Sequence, residues 1–399
     1  MYDIGSIRKD FPLTEKTVYL DNAATTQTPK PAVDAMLEFF YDYTANYGRG
    51  AHQPAVRATN AYEDTRDTVA SFFNVGSEKI VFTKNTTDSI NMVADGLGLQ
   101  PGDHVITSLA EHHSNIVPWL HKKDPRHGGI DVTAVGIDGE GYLDPEEIEN
   151  AVTDQTKLIA VNHSSNVFGT TQEIRKIIKI AHDAGAKVLI DGAQSAGQMM
   201  IDLKSLDCDF FATAGHKGLL GPQGTGVLYI KEPDALEPTT LGGGTTEDAD
   251  GFSFVTKRPP SCFEAGTPNL PGVIGLGAAV EYLKQFSLDE IEHHEAELGR
   301  KTAQRLSEID GVTVYGPAPG KNRTGLVSFN VEKREPHTTA MYLDRYFRIC
   351  VRSGFHCAVP GHKALGIDNG SVRASFALYT TEEETDLLID AVTELIREE

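Results

Sequence analysis

Several polar side chains of this sequence stand directly after short apolar runs that are typical of β-strands. Asp191 ends one such run, and His112 and Lys217 follow two others closely. Because ligands of an open α/β sheet bind outside the carboxyl ends of its strands, these residues are candidates for one shared site. Each one alone also fits an ordinary role: Asp191 as a helix cap, Lys217 as a surface charge and His112 as a partly buried ring.

Taken together, these residues supply the groups that hold pyridoxal phosphate. A lysine amine forms a Schiff base, a carboxylate keeps the pyridine nitrogen protonated, and a helix N-terminus takes the phosphate. The Thr-rich segment 85–91 provides such an N-terminus directly after a strand predicted at 79–83. Thr-rich caps are common, so it is the combination that predicts the cofactor site.

One of the four cysteines stands apart from the others. The four are too scattered for a disulfide framework or a CxxC metal site. Cys357 lies in a Gly- and Pro-containing stretch beside Arg352 and His356, and such neighbours lower the pKa of a thiol if they are close in space. Local sequence leaves a reactive and an inert Cys357 equally open. The other cysteines are predicted to be structural.

Composition excludes broad classes of protein. The 399 residues include 57 acidic and 36 basic side chains, a formal net charge of −21, which argues against a nucleic-acid binder. No stretch approaches the ~20 apolar residues of a membrane helix, and residues 1–5 do not resemble a signal peptide. We therefore expect a cytoplasmic protein without a membrane partner. A metal-binding protein is the alternative from another class, but the paired histidines are adjacent rather than at i, i+4 spacing, so no metal site is predicted.

The chain divides into two predicted units. From 21 to about 270, apolar runs alternate with amphipathic segments, which indicates a mostly parallel sheet wrapped by helices. Strands are predicted at 79–83, 105–107, 158–162, 188–191, 210–213 and 226–230, and helices begin after Asp144 and near Glu173.

After the Gly/Pro-rich stretch 266–272, the pattern changes to a smaller α+β unit. A long helical segment at about 274–309 precedes strands at 312–315 and 326–331, and a capping box at 380–383 precedes a closing helix. We predict an N-terminal segment (1–20) that packs with the small domain, a large domain (21–272) and a small domain (273–399) that carries Cys357.

Nine short motifs, in this order and spacing, resemble the cysteine desulfurases, particularly the group that serves the SUF iron–sulfur assembly system, with its selenocysteine lyase relatives. The motifs are VYLDNAA (18–24), NTTDSIN (85–91), EHHSNIVPW (111–119), NVFG (166–169), DGAQ (191–194), GHK (215–217), FEAGTPN (263–269), GFHC (354–357) and VRAS (372–375).

The resemblance implies a fold-type I, class V aminotransferase-like fold, with a large domain built on a mostly parallel seven-stranded sheet and a smaller α+β domain. It also implies a role for each matching residue. Lys217 carries the cofactor and shuttles the proton at the substrate Cα. His112 stacks on the cofactor ring and, as a catalytic residue, assists proton transfer near the substrate thiol. The other implied cofactor-binding residues are Asp191 at the pyridine nitrogen, Gln194 at the phenolic oxygen, and Thr86, Thr87 and His216 at the phosphate end.

The substrate side follows from the same resemblance. Asn166 and Arg373 hold the substrate carboxylate, Arg352 lines the entrance, and Cys357 is the nucleophile that takes sulfur from L-cysteine as a persulfide. Thr267 reaches the phosphate of the neighbouring subunit, which implies a homodimer.

The implied activity is conversion of L-cysteine to L-alanine, with sulfur passed to an acceptor protein of iron–sulfur assembly. A selenocysteine lyase, or another fold-type I lyase or epimerase with an incidental Cys357, is the alternative. One departure concerns the phosphate: Ala214 stands where the family usually has serine, and Thr213 is a candidate to compensate.

Overall fold

The computed structural model describes residues 3–318 and 320–397 and has, within them, fifteen β-strands and thirteen α-helices. The strands are β1 (Val18–Tyr19), β2 (Ile80–Thr83), β3 (His104–Ser108), β4 (Asp131–Val135), β5 (Thr156–Asn162), β6 (Lys187–Asp191), β7 (Phe210–Ala214), β8 (Gly226–Ile230), β9 (Thr246–Ala249), β10 (Phe254–Thr256), β11 (Val312–Tyr315), β12 (Leu326–Val331), β13 (Ile349–Cys350), β14 (Arg352–Gly354) and β15 (Ser371–Ser375). The helices are α1 (Ile4–Ile7), α2 (Lys30–Asp42), α3 (Gln53–Phe72), α4 (Thr86–Gly96), α5 (Val117–Lys123), α6 (Pro145–Ala151), α7 (Ile174–Asp183), α8 (Leu203–Leu206), α9 (Leu270–Leu283), α10 (Leu288–Ser307), α11 (Pro336–Phe347), α12 (Val359–Ala364) and α13 (Glu382–Arg397).

The central element is a seven-stranded sheet in the order β2-β8-β7-β6-β5-β3-β4. Strand β8 is antiparallel to both of its neighbours, while the other adjacent pairs are parallel, so six of the seven strands run in one direction. Most of these strands are continuous buried apolar runs, as expected for a sheet covered by helices on both faces. The predicted fold class is confirmed, and all six predicted strands are present; β4, on the edge, is an addition.

Helices cover this sheet with amphipathic faces that the sequence pattern anticipates. In α7 the buried side chains are Ile174, Ile177, Ile178 and Ala181, which are the residues of the predicted apolar stripe. Helix α6 begins where expected, with the Asp144 side chain accepting a hydrogen bond from the backbone N–H of Glu146.

The second domain is built on the antiparallel sheet β11-β12-β15-β14. Its core is a separate cluster of buried residues that runs from Leu298 to Leu395 and includes Leu20. The predicted helical segment 274–309 is in fact two helices, α9 and α10. Helix α9 packs on α2 and α3, and its buried residues and Ile291 belong to the core of the large domain. Among the described residues, the two clusters of buried residues meet along α10, with Ile291 in one and Leu298 in the other.

The N-terminal segment contacts both domains rather than the small domain alone. Strand β1 pairs in parallel with β13 of the small domain. Phe11, in contrast, packs in the core of the large domain, against Tyr282 and Tyr379. The segment therefore ties the two domains together beside the sheet.

The capping box of the last helix lies one residue later than predicted. The backbone N–H of Glu384 donates to Thr381 Oγ1, and the backbone N–H of Thr381 donates to Glu384 Oε2. Glu384 also accepts hydrogen bonds from Arg8, so this box anchors the N-terminal segment as well.

Within residues 3–318 and 320–397, no helix has both the length and the apolar character needed to cross a bilayer.

Candidate active site

A cavity of about 270 Å³ lies where the carboxyl ends of the parallel strands meet the small domain. The sheet explains its position, because β2, β3, β5, β6 and β7 run in one direction and bring the residues that follow them to one edge. Of the twelve predicted site residues, eleven line this cavity: Thr86, Thr87, His112, Asn166, Asp191, Gln194, His216, Lys217, Arg352, Cys357 and Arg373. Thr267 does not; it is exposed in the segment before α9.

The N-terminus of α4 forms one end of the cavity. Asn85 caps the helix by accepting a hydrogen bond from the backbone N–H of Asp88. Thr86 Oγ1 and His216 Nδ1 are buried here without a hydrogen-bond partner in the described chain. Buried polar atoms are nearly always paired, so two free ones beside a helix N-terminus fit an anionic group such as a phosphate.

Ala214, the last residue of β7, lines the same end of the cavity and offers no hydroxyl. Thr213 does not compensate for it. Its side chain is buried, and its hydroxyl donates to the carbonyl of Gly192, on the inner side of the sheet edge. The candidate phosphate end therefore lacks the hydroxyl that serine would provide at 214.

Asp191 and Lys217 provide opposite charges at the centre of the cavity. Burial raises the pKa of Asp191, while a hydrogen bond from the backbone N–H of Ala193 and the positive charge of Lys217 oppose the rise. Burial lowers the pKa of Lys217 to about 8, against the raising effect of Asp191. A lysine with a lowered pKa is more often the free amine, which is the form that reacts with an aldehyde. The pair thus fits a pyridine ring that carries an aldehyde group.

His112 is held as a neutral ring. Burial and the positive charge of Lys217 lower its pKa to about 3. The backbone N–H of Ser114 donates to His112 Nδ1 at 3.1 Å, which places the single proton on Nε2. The Ser114 hydroxyl also lies 2.6 Å from the Thr87 hydroxyl and links the ring to the first turn of α4. The neutral imidazole suits stacking on an aromatic cofactor.

Arg373 is the buried cation of the small-domain side, only 2% exposed. Its guanidinium donates to the carbonyl of Asn166 and to Asp21 Oδ1, both at 3.0 Å, while Nε has no hydrogen-bond partner in the described chain. Arg352 is exposed and lies 3.9 Å from the other oxygen of Asp21. Two arginines that share one carboxylate at the mouth of a cavity fit a carboxylate ligand.

Cys357 is exposed, on a turn between β14 and α12. His356 and Cys357 both have positive φ angles, 49° and 56°, in the left-handed region that L-residues with a Cβ rarely adopt. His356 does not supply the positive charge that the sequence allowed. Burial lowers its pKa well below the ordinary value, and its Nε2 faces the carbonyl and hydroxyl of Ser371.

Two residues of the quoted motifs gain structural roles that the sequence reading did not assign. Asp21 pairs with Arg373, and Glu111 is fully buried below His112. Glu111 accepts hydrogen bonds from the Ser108 hydroxyl, the Asn115 side-chain amide and both nitrogens of Asn162. Both acids stand at or just after strand ends, so the signal that singled out Asp191 could have found them.

The described residues contain no group of three or more His, Cys, Asp or Glu side chains arranged to hold a metal ion. The cavity instead combines an anion cradle, a carboxylate–amine pair, a neutral imidazole and an accessible thiol. This set is suited to proton transfer and nucleophilic attack on a ligand held by a ring cofactor.

Comparison with known proteins agrees with this geometry. Residues 18–388 match the aminotransferase class-V family. A probable cysteine desulfurase of Methanothermobacter thermautotrophicus is 45% identical over 393 residues, which cover 98% of this chain and 97% of the relative.

Solved structures show the same fold. The apo structure of a cysteine desulfurase from Thermococcus onnurineus has a TM-score of 0.96 at 44% identity and covers 100% of this chain and 99% of its own. The cysteine desulfurase CsdA from Escherichia coli, in an S-sulfonic acid form, has a TM-score of 0.92 at 35% identity, with 100% and 99% covered.

Proposed function

The chain belongs to the aminotransferase class-V family, and from this premise we propose that it is a pyridoxal-phosphate-dependent cysteine desulfurase with Cys357 as the sulfur acceptor. The observation that carries the proposal is the presence of an exposed thiol in the wall of the cavity that also holds Lys217 and Asp191. This shared location favours a role for Cys357 in the reaction over an incidental cysteine.

The cofactor is held by residues of the large domain. Thr86, Thr87 and His216 would hold the phosphate, Asp191 would pair with the pyridine nitrogen, and Lys217 would supply the amine that attaches the cofactor. Gln194, whose amide nitrogen donates to the carbonyl of Ala23 at 2.9 Å, would serve the phenolic oxygen. When bound, pyridoxal phosphate supplies an electron sink that makes the substrate Cα proton acidic and lets sulfur leave.

Lys217 handles the proton, and Arg373 and Asn166 handle the carboxylate. The Lys217 amine would take the proton of the substrate Cα, and its lowered pKa of about 8 suits a base near neutral pH. Neutral His112 keeps the cofactor ring stacked. Arg373 and Asn166 bind the substrate carboxylate, with Arg352 at the entrance.

Cys357 performs the sulfur transfer. Its thiolate attacks the sulfur of L-cysteine, the Cβ–S bond of the substrate breaks, and the new S–S bond leaves a persulfide on the enzyme. The proton that Cys357 gives up balances the one gained by the product, so L-cysteine and a thiol become L-alanine and a persulfide without any other reactant. A thiol of an acceptor protein then takes the terminal sulfur.

The proposal extends to assembly and cellular role. Thr267 is exposed outside its own cavity, as suits a residue that reaches the phosphate end of a second copy in a homodimer. The short turn that carries Cys357 supports assignment to the SUF-type group, with an iron–sulfur assembly protein as acceptor. All four cysteines are free thiols, in keeping with a cytoplasmic location.

The test is to compare Cys357→Ser with Cys350→Ser in the cofactor-loaded protein. We expect the C357S variant to keep its cofactor absorbance band and to lose alanine formation from L-cysteine by about 10³-fold, the scale for removal of a nucleophile. The C350S variant, changed at a cysteine outside the cavity, should form alanine at the wild-type rate. Sustained alanine and persulfide formation by C357S would contradict the assignment of Cys357 as the sulfur acceptor.

A further inference from the structure

His113 follows His112 in the sequence. It contacts the backbone at two positions, Cys357 and Val359. Its backbone N–H donates to the carbonyl of Cys357 at 2.6 Å. Its ring Nε2 accepts a hydrogen bond from the backbone N–H of Val359 at 3.3 Å. One residue of the large domain is thus hydrogen-bonded to the chain at the nucleophile and again two residues later.

The turn needs such support because its conformation is unfavourable. Left-handed φ angles at His356 and Cys357 are unfavourable for residues with a Cβ, so contacts must hold them in place. Gly354, at φ 106°, provides the freedom that lets the chain enter the turn. The turn has a hydrogen bond of its own, from the backbone N–H of Ala358 to the carbonyl of Phe355 at 2.7 Å, and contacts with other segments add to it.

The helix after the turn also lacks a cap of its own. Helix α12 begins at Val359, and Ala358 at its N-cap position has no side-chain oxygen to accept an orphan N–H. His113 Nε2, on a residue of the large domain, accepts the hydrogen bond that a capping side chain would accept. Nε2 of His113 is the acceptor in this contact, whereas in His112 the ring nitrogen that accepts is Nδ1.

Other contacts hold the preceding side of the turn. The Asn166 side-chain amide donates to the carbonyl of His356 at 2.8 Å, and the His356 ring faces Ser371. Asn166 is also a proposed substrate-binding residue, so its side chain has to serve both the turn and the substrate carboxylate. His113 touches the turn from outside the cavity lining and is free to serve the turn alone.

We propose that His113 is a positioning residue that fixes the Cys357 turn relative to the cofactor side of the site. The inference rests on the proposed function, in which Cys357 is the nucleophile. Because His112 and His113 are consecutive, the ring that packs on the cofactor and the ring that holds the nucleophile are placed by one short segment. A rigid link of this kind keeps the thiol at a fixed distance from the substrate sulfur.

The experiment compares His113→Leu and His113→Gln in the cofactor-loaded protein, with His121→Leu as a matched control on the exposed surface of α5. Leucine removes the acceptor, whereas the side-chain oxygen of glutamine replaces Nε2. We expect H113L to lower kcat for alanine formation by roughly 10- to 100-fold, with KM and the cofactor absorbance band unchanged within about twofold. Amide exchange in the peptide that contains Val359 should be several-fold faster.

The rescue decides between positioning and general structural damage. H113Q should return kcat to within about threefold of wild type and restore protection of the Val359 peptide, and H121L should match wild type throughout. Wild-type kcat and exchange in H113L would overturn the proposal, as would a variant in which KM, cofactor absorbance and exchange across the whole chain all change together. The C357S variant separates the two levels: if it still makes alanine, the proposed function fails, whereas an inert C357S with an unaffected H113L removes only the role of His113.

Discussion

The two sides of the cavity are built by opposite means. The cofactor side consists of residues at the ends of regular strands and at a helix N-terminus, and its charged groups are buried: Asp191 is only 5% exposed. The nucleophile side is an exposed turn with two consecutive left-handed residues. The sheet itself therefore places the cofactor groups, whereas hydrogen bonds from the other domain place the thiol.

The difference follows from what each side must do. An electron sink works through fixed charges around a ring, and fixed charges are most effective where water is excluded. In the proposed reaction an acceptor thiol takes the outer sulfur of the Cys357 persulfide and Cys357 is released as a thiolate, so its sulfur has to remain accessible. We expect changes on the cofactor side to abolish chemistry or cofactor binding, and changes on the nucleophile side to affect sulfur transfer with the cofactor retained.

The largest effect tests the cofactor side directly. Lys217→Ala should remove the Schiff-base absorbance band and lower alanine formation by about 10³-fold or more, because both the covalent attachment and the Cα base are lost. Lys231→Ala is the control: that lysine follows a strand of the same sheet and pairs with Asp207 on the surface. An unchanged band in K217A would show that another lysine holds the cofactor.

The second effect concerns Asp21, the carboxylate between the two sides. Arg373→Lys loses one of the hydrogen bonds to Asn166 and Asp21 in a buried place, so KM for L-cysteine should rise about 10- to 100-fold. Arg352→Lys should raise KM less than about threefold, because Arg352 is exposed and 3.9 Å from Asp21. Equal effects of the two substitutions, measured by steady-state kinetics, would contradict the unequal roles given to them.

The same contrast explains what could be predicted from the sequence. The strand ends on the cofactor side follow from apolar runs and the rule for ligands of parallel sheets, so Asp191 and Lys217 became candidates by position and were selected as a combination with their neighbours. The fold class followed from the alternation of strands and helices. These features depend on local pattern, which a sequence displays.

The nucleophile side depends on contacts between residues far apart in the chain, which local pattern does not display. The electrostatic surroundings of Cys357 depend on burial, and burial makes His356 neutral where the sequence allowed a cation. The placement of α9 also depends on packing: this helix is apolar nearly all round, and its contacts put it in the cluster of buried residues around the large sheet. The role of His113 likewise follows from a contact across 246 positions.

The third effect concerns Glu111, the buried acid that precedes His112 in the sequence. Burial raises the pKa of Glu111 to about 8, although hydrogen bonds from Ser108, Asn115 and Asn162 oppose the rise. The folded state therefore keeps a proton that the unfolded chain loses near pH 4.3. Glu111 contributes stability at low pH that is lost as pH rises from about 4.3 through about 8, with a slope of at most ~1.4 kcal/mol per pH unit.

The measurement is the urea midpoint of the cofactor-loaded protein at several pH values, for wild type and Glu111→Gln. Other titrating groups contribute equally to both proteins, so the difference isolates Glu111. We expect the wild type to lose stability relative to E111Q as pH rises over this window. Parallel curves would mean that the four donors around the carboxylate outweigh burial and keep Glu111 ionised throughout.

The smallest effect concerns the phosphate end, where Ala214 lines the cavity and has no hydroxyl to offer. Ala214→Ser adds a hydroxyl to the wall of the cavity and should tighten cofactor binding about threefold to tenfold, the scale of one hydrogen bond. Thr213→Val is the matched comparison. Because the Thr213 hydroxyl donates to Gly192, its loss should lower the free energy of unfolding by about 1 kcal/mol and leave the cofactor dissociation constant unchanged. If T213V weakens cofactor binding instead, Thr213 turns towards the phosphate when the cofactor binds, and the cofactor side is less rigid than its buried strands indicate.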